Sequence, residues 1–217
     1  MDMKEIIAGY MKIRVPAVCD ILDKEFGGWN QILSKEIRPL RLDHKVAGPA
    51  FTMFGVKSRE FDKKKRLIVQ AIDQMTEGSV VVMCTGGDEY TGHWGELLSN
   101  AAIARGVNGA VLDGGIRDTG MILELGFPIF HRYFAPGDST GRFNVIEYQT
   151  PIVIGGVKVN PGDFIFGDCD GIVVIPPDIV EAVLNRATEV YETEYEIRAR
   201  IKNGESVAAL YFEYGQL

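Results

Sequence analysis

Between Ser79 and Phe130 the chain alternates three short apolar runs with two segments of helix length. Ser79-Val-Val-Val-Met-Cys84 has no charged residue, and Ala110-Val-Leu112 and Pro128-Ile-Phe130 are equally apolar. A strand with one face in water alternates polar and apolar residues, so unbroken apolar runs predict strands buried on both faces. The segments between them follow a helical period. Leu97, Leu98, Ala101, Ala102 and Ile103 form one stripe that Gly106 ends, and Thr119 to Leu125 is a short helix ended by Gly126. Strand, helix, strand, helix, strand with short joints specifies a parallel sheet with right-handed crossovers.

The flanks must cover that sheet. Residues 3 to 12 and 16 to 26 predict two amphipathic helices, the second opened by Val15-Pro16 and closed by Gly27-Gly28. Ile37 to Leu42 alternates polar and apolar residues, and Val46 to Val56 reads as strand with Gly48-Pro49 at a bulge or edge. Residues 62 to 75 carry Leu67, Ile68, Ala71, Ile72 and Met75 on one helical stripe. After His131 comes a loop, Phe134 to Phe143. Short runs at 145–148, 152–154, 157–159, 164–167 and 171–175 then predict antiparallel hairpins, with turns at Gly155-Gly156 and Pro161-Gly162-Asp163. Pro176-Pro177-Asp178 opens a long helix through Arg200, whose charges at turn spacing suit a partly solvated or subunit-bridging element. The expectation is a single α/β domain over residues 1–217, a parallel sheet with an antiparallel β layer. A helical amino-terminal segment covers about 1–34 and a carboxyl-terminal helix about 177–202.

A net charge of -7 argues against a surface that neutralises phosphates, so no direct nucleic-acid partner is expected. The basic run Lys63-Lys64-Lys65-Arg66 reads as a solvated helix start. Cys19, Cys84 and Cys169 cannot all pair and lack zinc-ligand spacing, so they read as thiols of a reducing cytosol. No run approaches a membrane span and the amino terminus lacks a signal peptide's apolar core, so a cytoplasmic protein without a membrane partner is expected.

Ligands of parallel α/β sheets bind beyond the carboxyl ends of the strands. Two such places adjoin here. The loop after Cys84 leads into a helix near Gly95-Glu96-Leu97-Leu98, whose first-turn amides favour an anion. The loop after Leu112 runs Asp113-Gly114-Gly115-Ile116-Arg117-Asp118. Arg117 offers a planar fork of donors for the oxygens of a 2-oxo acid. Asp118 is a hard oxygen ligand of the kind Mg²⁺ accepts, and Glu96 is placed to move protons. Each feature also has a purely structural reading: Arg117-Asp118 as an amino cap with a surface ion pair, Glu96 as a response to the helix dipole, Gly114-Gly115 as a strand exit. His93 reads as a packed loop histidine or a substrate contact, and Asp168-Cys169-Asp170 as a strand turn with acids capping backbone amides or a second metal site.

Glu96, twenty intervening residues and Arg117-Asp118, set in Gly-Glu-Leu-Leu and Asp-Gly-Gly-Ile-Arg-Asp, resemble a motif of the class II pyruvate aldolases. These are the 4-hydroxy-4-methyl-2-oxoglutarate and 4-carboxy-4-hydroxy-2-oxoadipate aldolases, which share a fold with the regulator of ribonuclease E activity A. Ala17 to Asp23 resembles the family's opening helix, and Gly155 to Pro176 its second signature. The resemblance implies a swivelling β/β/α domain, assembled as a trimer or a doubled trimer. It implies that the amides of Gly95, Glu96, Leu97 and Leu98 bind the substrate carboxylate and Arg117 the oxo or enolate oxygen. Asp118 would be the ligand of Mg²⁺ or Mn²⁺, Glu96 would orient water on that metal, and Glu194 from a neighbouring subunit would stand behind it. The family often has Asp where Glu96 stands.

The activity so implied is metal-dependent cleavage or decarboxylation of 2-oxo dicarboxylates through a pyruvate enolate, with a small 2-oxo acid as partner. A non-catalytic ring that binds and inhibits a ribonuclease is the rival, because fold does not fix function. A methyltransferase or dinucleotide enzyme, suggested by Thr85-Gly86-Gly87-Asp88, lacks the full Gly-x-Gly-x-x-Gly spacing.

Overall fold

The computed structural model describes residues 1–28, 30–60 and 66–215. In chain order its elements begin with α1 (Met3–Tyr10), α2 (Val15–Ile21), β1 (Arg38–Pro39), β2 (Val46–Lys57), α3 (Leu67–Asp73), β3 (Val80–Cys84), β4 (Gly92–Trp94) and α4 (Glu96–Ala104). They continue with β5 (Gly109–Leu112), β6 (Gly115–Ile116), α5 (Thr119–Leu125), β7 (Ile129–His131), β8 (Tyr133–Phe134), β9 (Phe143–Tyr148) and β10 (Ile152–Ile154). The last are β11 (Val157–Val159), β12 (Phe164–Gly167), β13 (Ile172–Ile175), α6 (Val180–Lys202) and α7 (Val207–Tyr214).

The main sheet runs β1-β7-β5-β3-β2-β12-β13, with β9 also paired to β2. The expected parallel set is present: β2 with β3, β3 with β5, and β5 with β7. All five residues of β3 are buried. Their alternation divides them between two cores, Val81 and Met83 on one face, Val80, Val82 and Cys84 on the other. Burying each of these valines stabilises the fold by about 1.5–3 kcal/mol, which accounts for the absence of polar residues in the run. The first core packs the sheet against α3, α4 and α5 through Ile68, Ile72, Ala102 and Ile122. The second lies under the antiparallel hairpin β10–β11 through Ile152, Ile154, Val157 and Val159. Hairpin, sheet and helices thus stack in β/β/α order. A third cluster seats α1, α2 and α6 on β12 and β13, with Tyr10 between Phe164 and Phe166.

The strands after His131 are antiparallel as expected, but β9, β12 and β13 join the main sheet through β2. Gly48-Pro49 marks a handover: residues 46–49 pair with β12, and the parallel pairing with β3 begins at Ala50. The helix expected over 16–26 is α-helical only to Ile21 and widens into a π-helical turn over Leu22–Phe26. Of the helix expected over 62–75, residues 62–65 lie outside the described residues, and α3 covers the remainder to Asp73. Along α6 the start falls at Val180, after a turn in which the Ile179 amide donates to the Pro176 carbonyl at 3.2 Å. Helix α7 has no counterpart in the expected elements. Among the described residues no helix is long and apolar enough to cross a membrane.

Candidate active site

Beyond the carboxyl ends of β3, β5 and β7 the chain forms a second, smaller sheet. Strands β4, β6 and β8 pair in parallel, in the order of the strands they follow. Gly92 lies opposite Gly115, and Gly115 opposite Tyr133. The exits of β3 and β5 are tied together by the Thr85 amide, which donates to Asp113 Oδ1 at 2.7 Å. This small sheet delivers Gly95 to the start of α4 and Arg117-Asp118 to the start of α5, side by side. The Arg117 amide donates to the Trp94 carbonyl at 2.9 Å.

The two ends open on one cavity of about 210 Å³, lined among others by Gly95, Leu97, Leu98, Arg117, Asp118 and Asp138. Asp118 occupies the cap position of α5 but does not cap it. Its backbone is left-handed, with φ +56°, and no side-chain cap hydrogen bond is made. The carboxylate crosses instead to α4, where the Glu96 amide donates to Oδ2 at 3.4 Å. A Cβ on Gly95 would stand 2.6 Å from that oxygen, so this crossing requires glycine at position 95. Arg117 Nε lies 3.6 Å from Asp118 Oδ2, with both side chains a third or more exposed, a geometry that contributes only about 0–1 kcal/mol. A non-glycine residue in the left-handed region costs ~1–3 kcal/mol, so the pair does not offset its own backbone strain.

Among the described residues Asp118 Oδ1 accepts no hydrogen bond. One hard carboxylate oxygen beside a cavity of mixed lining, with Arg66, Arg117 and Asp138 alongside Leu97 and Leu98, is a donor that fits a hard divalent cation such as Mg²⁺ or Mn²⁺ with water completing the shell. Arg117 Nη1 also lies 3.6 Å from Asp138 Oδ1. Burial works to raise the Asp138 carboxyl, but hydrogen bonds from Thr140 and the Arg117 charge outweigh it and hold the group below the usual carboxylate value. Next to it, Ser139 Oγ accepts from Arg66 Nη2 at 3.1 Å, which brings a second guanidinium to the cavity.

The sequence reading placed Gly95, Leu97, Leu98, Arg117 and Asp118 in one site, and the structure brings them together. Glu96 sits on the same turn, but its Oε1 is held by Asn100 Nδ2 one turn along α4, so its carboxylate lies along the helix. Glu194 is elsewhere: it lines an open groove with Arg14, Asp20, Lys45 and Arg198. Asp138 and Arg66 were missed. The first lies in a loop without a motif and the second in a basic run that looks solvated, so neither carried a signal of its own. The Asp168-Cys169-Asp170 ligand atoms lie within 4.8 Å of one another, yet both Asp168 oxygens accept backbone amides, from Val15 at 3.1 Å and Asp170 at 2.9 Å. All three cysteines are free, and burial pushes the Cys19 thiol up to about 12 and that of Cys84 up to about 11.

His93 is buried beside the cavity, and burial lowers its pKa against the opposing pull of Asp88. Burial likewise lowers His44 and His131, so the fold favours the neutral form of all three histidines. Unfolded histidine titrates near ~6.5 and then binds more protons than the folded chain. Stability is therefore expected to be fully present above about pH 6.5 and to fall below it, by roughly 1.4 kcal/mol per pH unit for each histidine titrating. Urea unfolding at pH 7.5, 6.5 and 5.5 checks this; an unchanged midpoint contradicts it.

Fold and cavity define a β/β/α domain with a helix start and an Arg-Asp pair side by side at the mouth of its parallel strands. The profile of the RraA-like family, described as Aldolase/RraA, matches residues 15–174, and the chain belongs to that family. A protein of Halalkalibacterium halodurans, provisionally named 4-hydroxy-4-methyl-2-oxoglutarate aldolase, is 34% identical over 84% of this chain and 82% of its own length. Protein DlpA of Legionella pneumophila is 30% identical over 79% of this chain, which spans only 28% of that protein. Among solved structures, one described as novel cellulases from microbes associated with the gut ecosystem has a TM-score of 0.86 and 37% identity, covering 90% of this chain and 88% of that one. RraAS2 of Streptomyces coelicolor, described as an unusual member of the RNase ES inhibitor RraA family, has a TM-score of 0.79 and 28% identity over 89% of this chain and 96% of its own.

Proposed function

We propose that the chain is a lyase, dependent on Mg²⁺ or Mn²⁺, that releases pyruvate from 2-oxo dicarboxylates. The substrates are of the 4-hydroxy-4-methyl-2-oxoglutarate type, cleaved by retro-aldol reaction, or oxaloacetate, decarboxylated. The observation that carries this reading is the meeting of Arg117, Asp118 and the amino end of α4 on one cavity of about 210 Å³. That volume is below the ~300–1,000 Å³ of sites for drug-sized ligands and suits a small acid. With the Glu96 amide already given to Asp118, the amides of Leu97 and Leu98 take the substrate carboxylate at the positive end of the helix. Arg117, steadied by Asp138, donates to the oxo oxygen, where negative charge grows as the carbon-carbon bond breaks. Asp118 holds the cation, which when bound supplies Lewis-acid stabilisation of that same charge. Leu98, half-buried against the core, walls the pyruvyl end. Arg66, fixed through Ser139, meets the second carboxylate. Glu96, with Oε1 engaged by Asn100, keeps Oε2 for the proton. Glu194 reaches this cavity only from another copy of the chain, so a homotrimer or hexamer is part of the proposal.

Pyruvate release from both substrates, followed with each cation, tests the reading. Cation-dependent turnover supports it; no turnover and no deuterium exchange into pyruvate with any divalent cation sinks it. Arg66→Ala is expected to raise KM for these dicarboxylates about 10–100-fold with a smaller change in kcat, as expected for losing a charge-assisted contact made equally in ground and transition states. An unchanged KM removes Arg66 from the site.

A second reading draws on the RraAS2 likeness and on the Glu96 carboxylate lying along α4: a ring that docks on a ribonuclease without catalysis. Tight nuclease capture that survives Arg117→Ala, with no turnover, favours it.

A further inference from the structure

We propose that His93 is a positioning residue whose Nδ1 lone pair holds the Gly115 amide and so fixes the turn from which Arg117 and Asp118 project. The inference rests on the proposed roles of those two residues. His93 lies on β4 between Gly92 and Trp94, with its side chain fully buried. Its Nδ1 accepts from the Gly115 amide at 3.1 Å, and its Nε2 lies 3.2 Å from Asp88 Oδ2. A backbone N–H only donates, so Nδ1 carries no proton and the ring proton stands on Nε2, facing the carboxylate. Asp88 is anchored in turn: its Oδ1 accepts the Tyr90 amide at 3.1 Å, and its carbonyl accepts the Tyr133 hydroxyl at 2.8 Å. Phe143 meets the imidazole edge-on, with ring centroids 4.5 Å apart.

The turn is shaped to this ring. A Cβ on Gly114 would stand 2.5 Å from His93 Nδ1, and one on Gly115 would stand 2.4 Å from Tyr133 Cε2. The two glycines therefore admit the imidazole on one side and the tyrosine on the other. Gly115 belongs to β6, yet its amide goes to a side chain from the neighbouring strand. Two residues further on, Arg117 enters the cavity. A chain of Asp88, His93 and Gly115 thus links the one deeply buried acid of the loop after β3 to the guanidinium that faces substrate. A misplacement of about 1 Å at such a group can cost ~10²-fold in rate.

Two substitutions separate the two ends of the imidazole. His93→Gln presents a donor near Nε2 for Asp88 and loses the acceptor at Gly115. His93→Asn presents an oxygen near the place of Nδ1 and loses Asp88. The expected result is a 10–100-fold fall in kcat for His93→Gln with little change in KM, and recovery of most of that loss in His93→Asn at similar melting temperature. Equal losses in both variants, tracking their loss of stability, would overturn the proposal. Nitrogen-15 shifts of the His93 ring and hydrogen exchange of the Gly115 amide give a second reading in the substrate-free protein. An unprotonated Nδ1 and an amide that exchanges faster only in His93→Gln support the proposal; a protonated Nδ1 refutes it. If no variant and no wild-type sample turns over substrate, the proposed activity fails, while the ring and amide signals still decide the placement of the turn.

Discussion

Asp118→Asn is expected to lower cation-dependent pyruvate release by ~10²–10³-fold or more while the fold stays intact. Asparagine tolerates the left-handed backbone at φ +56° about as well as aspartate, so the change removes charge without adding strain. The ion pair it breaks is half-exposed and contributes little to stability. Measured by pyruvate production alongside a melting curve, activity should collapse with the midpoint shifted by only ~2 °C or less. Wild-type activity in the variant would show that Asp118 holds no cation. A matching loss of fold would show that its carboxylate chiefly ties α4 to α5.

Trp94→Ala is expected to be the largest single loss of stability near the site, about 3–5 kcal/mol. Trp94 is fully buried, stacks on Phe127 at 6.3 Å, and its indole N–H donates to Ser99 Oγ at 2.9 Å. Ser99 Oγ in turn donates to the Gly95 carbonyl at 3.1 Å, so the cavity left behind opens directly beneath the first turn of α4. For a chain of this length the midpoint should fall by roughly 6–20 °C. Trp94→Phe, which refills most of the volume, should recover the larger part. A shift of only a degree or two in Trp94→Ala would mean that the start of α4 does not depend on this ring.

The strands β3, β5 and β7 and the helices α4 and α5 were legible because a doubly buried strand excludes polar residues and a helix covering it keeps one apolar stripe. The pair Arg117-Asp118 and the start of α4 were legible as neighbours once the parallel order of the strands was read. Strands β4, β6 and β8 were not: at two or three residues each they are too short to express a period, and glycines at 92 and 115 look like loop. Asp138 and Arg66 reach the cavity through tertiary packing of loops, to which no spacing rule applies. His93 was visible only as a choice between packing and chemistry; its contacts with Asp88 and the Gly115 amide, which no spacing rule announces, are what support the brace proposed above. The direction of the Glu96 side chain depends on Asn100, one helical turn away. Such a contact is a rotamer preference, which sequence pattern does not encode.

The small sheet β4-β6-β8 has a consequence for how such a site can be altered. Each connection that carries a working residue is gripped twice, once by the large sheet behind it and once by the small sheet ahead. The connections 85–91 and 135–142 run between or beyond those grips, and parts of them brace the site: Asp88 faces His93 Nε2, and the Gly137 carbonyl accepts the Gly92 amide at 2.8 Å. Their exposed positions, Glu89 and Tyr90 among them, can therefore be exchanged, by drift or by a protein engineer, while the spacing between Gly95 and Arg117 stays set by the pairing of β4 with β6 and by the Arg117 amide bond to the Trp94 carbonyl. The scaffold works as a jig: it holds one half of a ligand in fixed coordinates and leaves the other half open to redesign.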